Sequence, residues 1–279
     1  MSELPGPIRP TSTQTIGGLY AETFLPTGTP KGVVVVTHGY AEHCGRYHEV
    51  CHVIVNAGWA ALTYDCRGHG KSPGPRGFID RFDTYATDLH AMIAAAKKLV
   101  PETAPVVLLG HSHGSLITLY ALASDNPPKV RSAIVASPYL GIKLAVPAWK
   151  KLLARVASRV APRLNQPNGI KAEHLTDDLA KRAEHDADPL NFATASARWF
   201  VESSDAQDFV LAHADRITVP TTWLVGANDP LANPAQSRTV ANKVKGATYH
   251  DLVGMKHEVF NEVERGKVFA ELARALATA

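Results

Sequence analysis

The stretch VVLLGHSHGSL, residues 106 to 116, sets Ser112 inside a G-x-S-x-G pattern directly after an apolar run, and a small-residue helical pattern, SLITLYALAS, follows it. Strand, tight turn and helix form the context in which a serine is held on a strained turn with its hydroxyl above a sheet, Gly110 and Gly114 permitting the close approach. A hydroxyl becomes a nucleophile only beside a base, and the base needs a group that orients it. His111 and His113 flank the serine, yet neighbours in a sharp turn point their side chains apart, so both are expected to pack against flanking elements. In chain order serine, acid, histidine, each on a loop after a strand, Asp229 in TTWLVGANDPLANP and His257 in ATYHDLVGMKHEVFNE have the right placement. Ser112, Asp229 and His257 are therefore the candidate catalytic residues. His250 and Asp251 fall inside the last expected strand and read as structural, while Asp205, Asp208 and Glu258 read as solvated or locally bonded acids.

Attack on a carbonyl also needs two N–H donors for the oxyanion that develops. The backbone amide of His113, immediately after the serine, is one candidate. The loop THGYAEHCGRY, residues 37 to 47, supplies the other: His38 and Gly39 bring the backbone close, and the amide of Tyr40 is the expected donor. Glu42, His43 and Arg46 in the same loop match no common zinc spacing and read as a local polar network. Neither a metal nor a cofactor is expected.

The elements that must position these residues follow from hydrophobic patterning. GVVVVT (32–37), WAALTYD (59–65), PVVLLG (105–110), RSAIVAS (131–137), TTWLVG (221–226) and ATYHDL (247–252) are short apolar runs, each with a turn signal after it, and suit strands buried on both faces. Helical spacing in residues 81–100 and 260–279 places helices between and after them, the latter despite Gly266. The alternation predicts a mostly parallel sheet covered by helices on both faces. GLYAETFLPTG reads as an antiparallel edge strand and turn. Between about residues 138 and 216 the alternation fails; helical patterns without a convincing strand predict an insertion that folds over the sheet.

At 279 residues the chain is long enough for one large domain, or a core with an insertion. A net charge of +3 with 20% charged residues gives no strong basic field, which argues against nucleic acid as a partner. Cys44, Cys51 and Cys66 are odd in number and lack zinc spacing; they read as buried small hydrophobes in a reduced, cytoplasmic protein. No apolar run approaches the roughly 20 residues needed to span a bilayer.

With these residues assembled, the chain resembles the monoglyceride lipase branch of the α/β-hydrolases, a group often labelled lysophospholipase or serine aminopeptidase-like. HGYAEHCGRY is similar to the family's H-G-x-x-E-H-x-x-R-Y loop, and YDCRGHGKSPGPRGFI to its D-x-R-G-H-G-x-S-x-G-x-R-G segment. GHSHGS stands at the nucleophile, GANDPL at the acid and GMKHEVFNE at the histidine. Position by position, Ser112, Asp229 and His257 match the family triad, and Tyr40 and His113 its oxyanion-hole positions. Met is usual where His113 stands and Gly where Ser115 stands; because the amide is the donor, His113 is expected to preserve the hole, and Ser115 is small enough to fit under the helix start.

The resemblance implies an α/β-hydrolase fold in which residues 1–137 and 217–279 form the core and 138–216 a helical cap, or lid. It implies hydrolysis of a monoacylglycerol to glycerol and free fatty acid through an acyl-serine. A short-chain carboxylesterase, a lysophospholipase or an acyltransferase would share the machinery, whereas a non-catalytic ligand-binding version would carry a damaged triad. Within the cap, AVPAWKKLLARVASRVAPRL carries Trp149, Leu152, Leu153, Val156, Val160 and Leu164 at helical spacing, with Lys151, Arg155, Arg159 and Arg163 beside them. Such a helix can pack its apolar stripe on the core or rest on a lipid surface, giving peripheral membrane contact, and both can hold in different lid states. Trp149 and Leu153 are candidate substrate-binding residues. Trp199 and Phe200 read as packing or tunnel wall.

Overall fold

The computed structural model describes residues 4–141, 143 and 148–279. Among the described residues ten strands form: β1 (Ser12–Ile16), β2 (Leu19–Phe24), β3 (Val33–Thr37), β4 (Ala60–Tyr64), β5 (Val106–His111), β6 (Ser132–Ala136), β7 (Asn165–Pro167), β8 (Thr194–Ser196), β9 (Thr221–Gly226) and β10 (Ala247–Leu252). Eight of them build one sheet in the order β1-β2-β4-β3-β5-β6-β9-β10, parallel from β4 to β10, with β2 antiparallel to both of its neighbours. The valine and leucine runs of β3 and β5 are buried along their whole length, as strands covered on both faces must be.

Nine helices accompany the strands among the described residues: α1 (His48–Asn56), α2 (Asp83–Ala96), α3 (His113–Ala123), α4 (Ala148–Val160), α5 (Ala172–Leu175), α6 (Leu179–Ala187), α7 (Ala197–His213), α8 (Pro234–Ala241) and α9 (Arg265–Ala277). One face of the sheet packs Val35, Leu108 and Val135 against α2, α3 and α7 through Leu89, Leu116 and Val210. On the other, Val34, Leu109 and Ile134 join Val50 and Ile54 of α1 and Val268 and Leu272 of α9. α9 begins later than the sequence suggests, after a 3-10 turn at Val259–Asn261, which leaves Gly266 in the first helical turn where its backbone freedom costs little.

Two expectations are corrected. GLYAETFLPTG does not supply the edge strand: β2 is flanked by β1 on one side and β4 on the other, and β1 is the edge. The sequence of β1, STQTI, is polar and almost wholly exposed, so it carries no apolar signal. The segment after β6 does contain strands, the three-residue pair β7 and β8, whose register runs Asn165↔Ser196 to Pro167↔Thr194. Its last helix, α7, places Trp199, Ala206 and Val210 in the core against α3. Of the amphipathic stretch, residues 145–147 and the side chains of Ala148, Lys150 and Lys151 lie outside the described set. The rest forms α4 and the turn after it, and Trp149, Leu152, Leu153, Val156, Val160 and Leu164 are each about half exposed or more.

The start of α3 is wedged against the end of β3. A Cβ on Gly114 would collide with the carbonyl oxygen of Thr37 and lie 2.5 Å from that of His38. Both obstacles are backbone in a buried strand end, which cannot yield. Gly114→Ala should therefore destabilise the fold by about 3 kcal/mol, the upper range for overpacking. A thermal melt checks it: for a chain of this size the midpoint should fall by roughly 10 °C, and an unchanged midpoint would show that the wedge is slack.

Candidate active site

Ser112 leaves β5 and begins α3 with φ 51° and ψ −115°, a conformation that L residues rarely adopt. Its N–H donates to Ala136 O at the end of β6 (2.9 Å), and its carbonyl accepts from Tyr139 N–H (3.1 Å), so the strained residue is stitched to the neighbouring strand on both sides. Gly110 makes the turn possible, since a Cβ there would lie 2.5 Å from Gly114 O. Ser115 Oγ donates to Gly110 O (2.7 Å) and Ala136 O (3.0 Å), a bond that the glycine usual in the resembling family could not make.

Asp229 stands three residues beyond β9. Its Oδ1 accepts from Leu231 N–H (2.8 Å) and Ala232 N–H (3.0 Å), which aims Oδ2 at His257. The base loop crosses close over the end of β9: Asn228 N–H donates to Met255 O (2.9 Å), and Gly226 leaves room for the carbonyl of Lys256. His257 Nδ1–H donates to Asp229 Oδ2 at 2.7 Å, which leaves Nε2 to accept from the Ser112 hydroxyl at 2.8 Å. The three residues predicted from chain order are thus one hydrogen-bonded series, and all three are buried.

The loop after β3 closes the site from the other side. A Cβ on Gly39 would lie 3.3 Å from Ser112 Cβ, so the backbone leading into Tyr40 passes directly beside the serine. His38 Nε2 accepts from Cys66 N–H (2.9 Å), which puts its proton on Nδ1 for donation to Gly39 O (2.6 Å). Tyr40 is pinned by its hydroxyl, which donates to Thr194 O (2.7 Å), and by stacking on Trp199 with ring centroids 3.7 Å apart. The His113 imidazole is buried among Tyr40, Phe82, Tyr85 and Trp199, and burial pushes its pKa down to about 3. It is a neutral packing group, which leaves its amide as the chemical asset.

Sequence reasoning missed how the three loops are tied together. Glu42 accepts from Gly39 N–H (2.6 Å), Tyr47 O–H (2.6 Å) and Arg46 Nε (2.9 Å), and lies 3.4 Å from His111 Nδ1. His111 Nε2 in turn donates to the carbonyl of His257 (3.2 Å), and Arg46 donates to Glu258 (2.6 Å). His111 is therefore not an inert flank of the serine; it braces the base loop. Although burial opposes ionisation, the bond and charge of His111, followed by Arg46, hold the Glu42 carboxyl well below its usual range. The i,i+4 pair of Glu42 and Arg46 was visible in the loop, but its link to Glu258 joins distant segments. His250, 3.7 Å from Glu271, and Asp251, paired with Arg238, stand apart from the site as expected, and Asp205 pairs with Arg155.

Two cavities meet at Ser112, Tyr40, Ile170 and His257. The larger, about 610 Å³, is lined mainly by apolar side chains: Tyr139, Trp149, Leu153, Leu164, Trp199, Phe200 and Leu231. The smaller, about 270 Å³, is lined by Glu42, His185, Asp186, Asp188, Asn191 and Glu258 with Leu175 and Phe192. Trp149 and Leu153, singled out from the helical stripe, thus face the first cavity. The acids of the second were not foreseen.

Burial disfavours a charged His257, but the bond and charge of Asp229, then Glu258 and Glu42, outweigh it and raise the imidazole pKa above its ordinary 6.5. The neutral form that can take the serine proton is therefore lost as pH falls through a value above 6.5. The acidic limb of a kcat/KM profile for any hydrolysed ester should lie there, and Asp229→Asn should move it to lower pH while cutting kcat by about 10⁴. A limb unmoved by that substitution would mean that Asp229 does not set the base.

Over residues 28–264 the chain matches the family model described as serine aminopeptidase, S33. It is 30% identical over 270 residues to a monoacylglycerol lipase of Mycolicibacterium smegmatis, covering 92% of each chain. It is 28% identical over 251 residues to a phospholipase of Bacillus subtilis, covering 88% of this chain and 95% of that one. Among solved structures, the monoacylglycerol lipase of Paleococcus ferrophilus superposes with a TM-score of 0.84 at 29% identity, over 93% of this chain and 98% of its own. The residues matched by the family model include Ser112, Asp229 and His257, and the chain belongs to the serine aminopeptidase, S33 family of α/β-hydrolases.

Proposed function

We propose that the chain is a serine carboxylester hydrolase that cleaves monoacylglycerols to glycerol and free fatty acid. The observation that carries the reading is a buried serine, bonded to a histidine that is bonded to an aspartate, standing where an apolar cavity of about 610 Å³ meets a polar one of about 270 Å³. An acyl chain suits the first and a polyol the second; the larger volume falls within the range of small-molecule sites. Ser112 attacks the ester carbonyl as His257 takes its proton, and Asp229 holds the imidazole and stabilises its charged form. The amides of Tyr40 and His113 receive the oxyanion. His257 then protonates the leaving glycerol, and water activated by the same residue attacks the acyl-serine and releases the acid. No step calls for a cofactor.

Residues 138–216 act in this reading as the cap over the serine, with Trp149 and Leu153 as walls of the acyl cavity. The exposed apolar stripe of α4, together with Arg155, Arg159 and Arg163, suits docking on a lipid surface from which a single-chain ester is drawn. Two of these cations also have partners within the chain: Arg155 bonds Asp205 (2.7 Å) and Arg163 lies over the Phe78 ring. No helix among the described residues is long and apolar enough to cross a membrane, so membrane contact in this reading is peripheral. Buried, unpaired Cys44, Cys51 and Cys66 suit a reducing compartment such as the cytoplasm. The name of the phospholipase relative favours a second reading, a lysophospholipase with the same triad.

Fatty-acid release from 1-monooleoylglycerol by purified wild type, Ser112→Ala and His257→Ala tests the proposal. Both substitutions should cut release by at least about 10³. Turnover of a chromogenic ester without turnover of monooleoylglycerol would keep the hydrolase and discard the substrate; turnover that survives in both variants would discard the triad.

A further inference from the structure

The 270 Å³ cavity opens onto Ser112 and His257 opposite the acyl cavity, so in the reading above, on which this inference rests, it receives the alcohol half of the ester. Its charge is unbalanced. Four carboxylate residues line it, Glu42, Asp186, Asp188 and Glu258, and no lysine or arginine does among the described residues. Glu42 and Glu258 share the guanidinium of Arg46, which is buried behind them, and Glu42 also lies 3.4 Å from His111; the remaining imidazoles of the lining are those of His185 and His257. Asp188 has the imidazole of His43, at 2.7 Å, as its ion-pair partner and accepts from the Leu190 N–H at 2.9 Å. Asp186 has no ion-pair partner among the described residues and stands exposed at the end of α6. In a recess partly shielded from water, a carboxylate excess of this kind repels an incoming anion far more than it would on an open surface.

We propose that the leaving-group pocket selects by charge: it admits alcohols that are neutral or cationic and rejects those that carry a phosphate. The rule separates the two ester classes named above. A glycerol moiety brings only hydroxyls, which can donate to the lining carboxylates and to Asn191. A glycerophosphate moiety brings its anion into the same recess, with no arginine or lysine among the described residues of the wall to receive it, and selectivity of this type comes from the repelled partner as much as from the accepted one.

The test uses three esters with one octanoyl chain and different alcohols: glycerol, choline and glycerol 3-phosphate. The kcat/KM of the glycerol ester should exceed that of the phosphate ester by at least about tenfold at low ionic strength, the gap should shrink as salt screens the pocket, and the choline ester should match or exceed the glycerol ester. Asp186→Lys, and separately the pair Asp186→Asn with Asp188→Asn, should raise the phosphate ester relative to the glycerol ester by about threefold or more. A merely structural disturbance would lower all three esters together and leave the ratio unchanged. A phosphate ester within threefold of the glycerol ester, or a gap that neither salt nor these variants move, overturns the inference. If the choline ester is cleaved and the glycerol ester is not, the monoacylglycerol reading falls and the charge rule stands. If none of the three is cleaved, that reading falls too, and glycerol 3-phosphate and choline are compared as competitive inhibitors of p-nitrophenyl butyrate hydrolysis: stronger inhibition by choline upholds the rule, and stronger inhibition by glycerol 3-phosphate overturns it.

Discussion

The backbone at Ser112 is forced, and much of the site is arranged around that fact. Helix α3 must start within one residue of the end of β5 and press its first turn against β3, with only glycine at 110 and 114 to fill the contact. The serine absorbs the change of direction at φ 51°, and it lies in the loops after the parallel strands with Ala41 and Ser137, the other non-glycine residues of positive φ among those described. Strain of this sort costs of order 1–3 kcal/mol per residue and persists only where the surroundings over-determine it. Here they do so through the bonds from Ser112 N–H to β6 and from Tyr139 N–H back to Ser112, and through two buried cores that hold the sheet from either side. What the strain achieves is direction: a hydroxyl raised off the sheet to within 2.8 Å of an imidazole from a loop three strands along it.

In the proposed mechanism a nucleophile on one loop, an acid on a second, a base on a third and an oxyanion donor on a fourth need a common reference. Glu42 supplies much of it. One carboxylate holds the Gly39 amide of the oxyanion loop, meets His111 of the nucleophile strand, and through Arg46 reaches Glu258 beside the base. Removing such a hub would leave the Gly39 amide and the Tyr47 hydroxyl without their buried acceptor and Arg46 with Glu258 alone, which is costlier than never having built the network. The same carboxylates contribute to the basicity of His257, so the group that sets the geometry also tunes the base.

How much of this was legible in the sequence depended on whether the signal was local. The parallel strands announce themselves because burial on both faces demands unbroken runs such as VVVV and VVLL. Ser112, Asp229 and His257 are readable because each follows such a strand by a short loop, in chain order. Tyr40 and His113 follow from the same strand ends, although the packing that fixes Tyr40, by Thr194 and Trp199, comes from far along the chain and had no signal. β1 was invisible because an exposed edge strand has no apolar face to show. β7 and β8 were invisible because three residues are too few to display a period. The bond between Arg46 and Glu258 and the acidic wall formed by Asp186 and Asp188 depend on tertiary placement alone.

In the proposed mechanism the forced turn makes Ser112, and no other hydroxyl in the chain, the nucleophile. The most direct measurement exposes the protein to a fluorophosphonate until ester hydrolysis ceases and maps the adduct by peptide mass spectrometry. A single adduct on the peptide carrying Ser112, formed in step with the loss of activity, is the result the geometry predicts. An adduct on another residue, or hydrolysis that continues after Ser112 is fully modified, would contradict it.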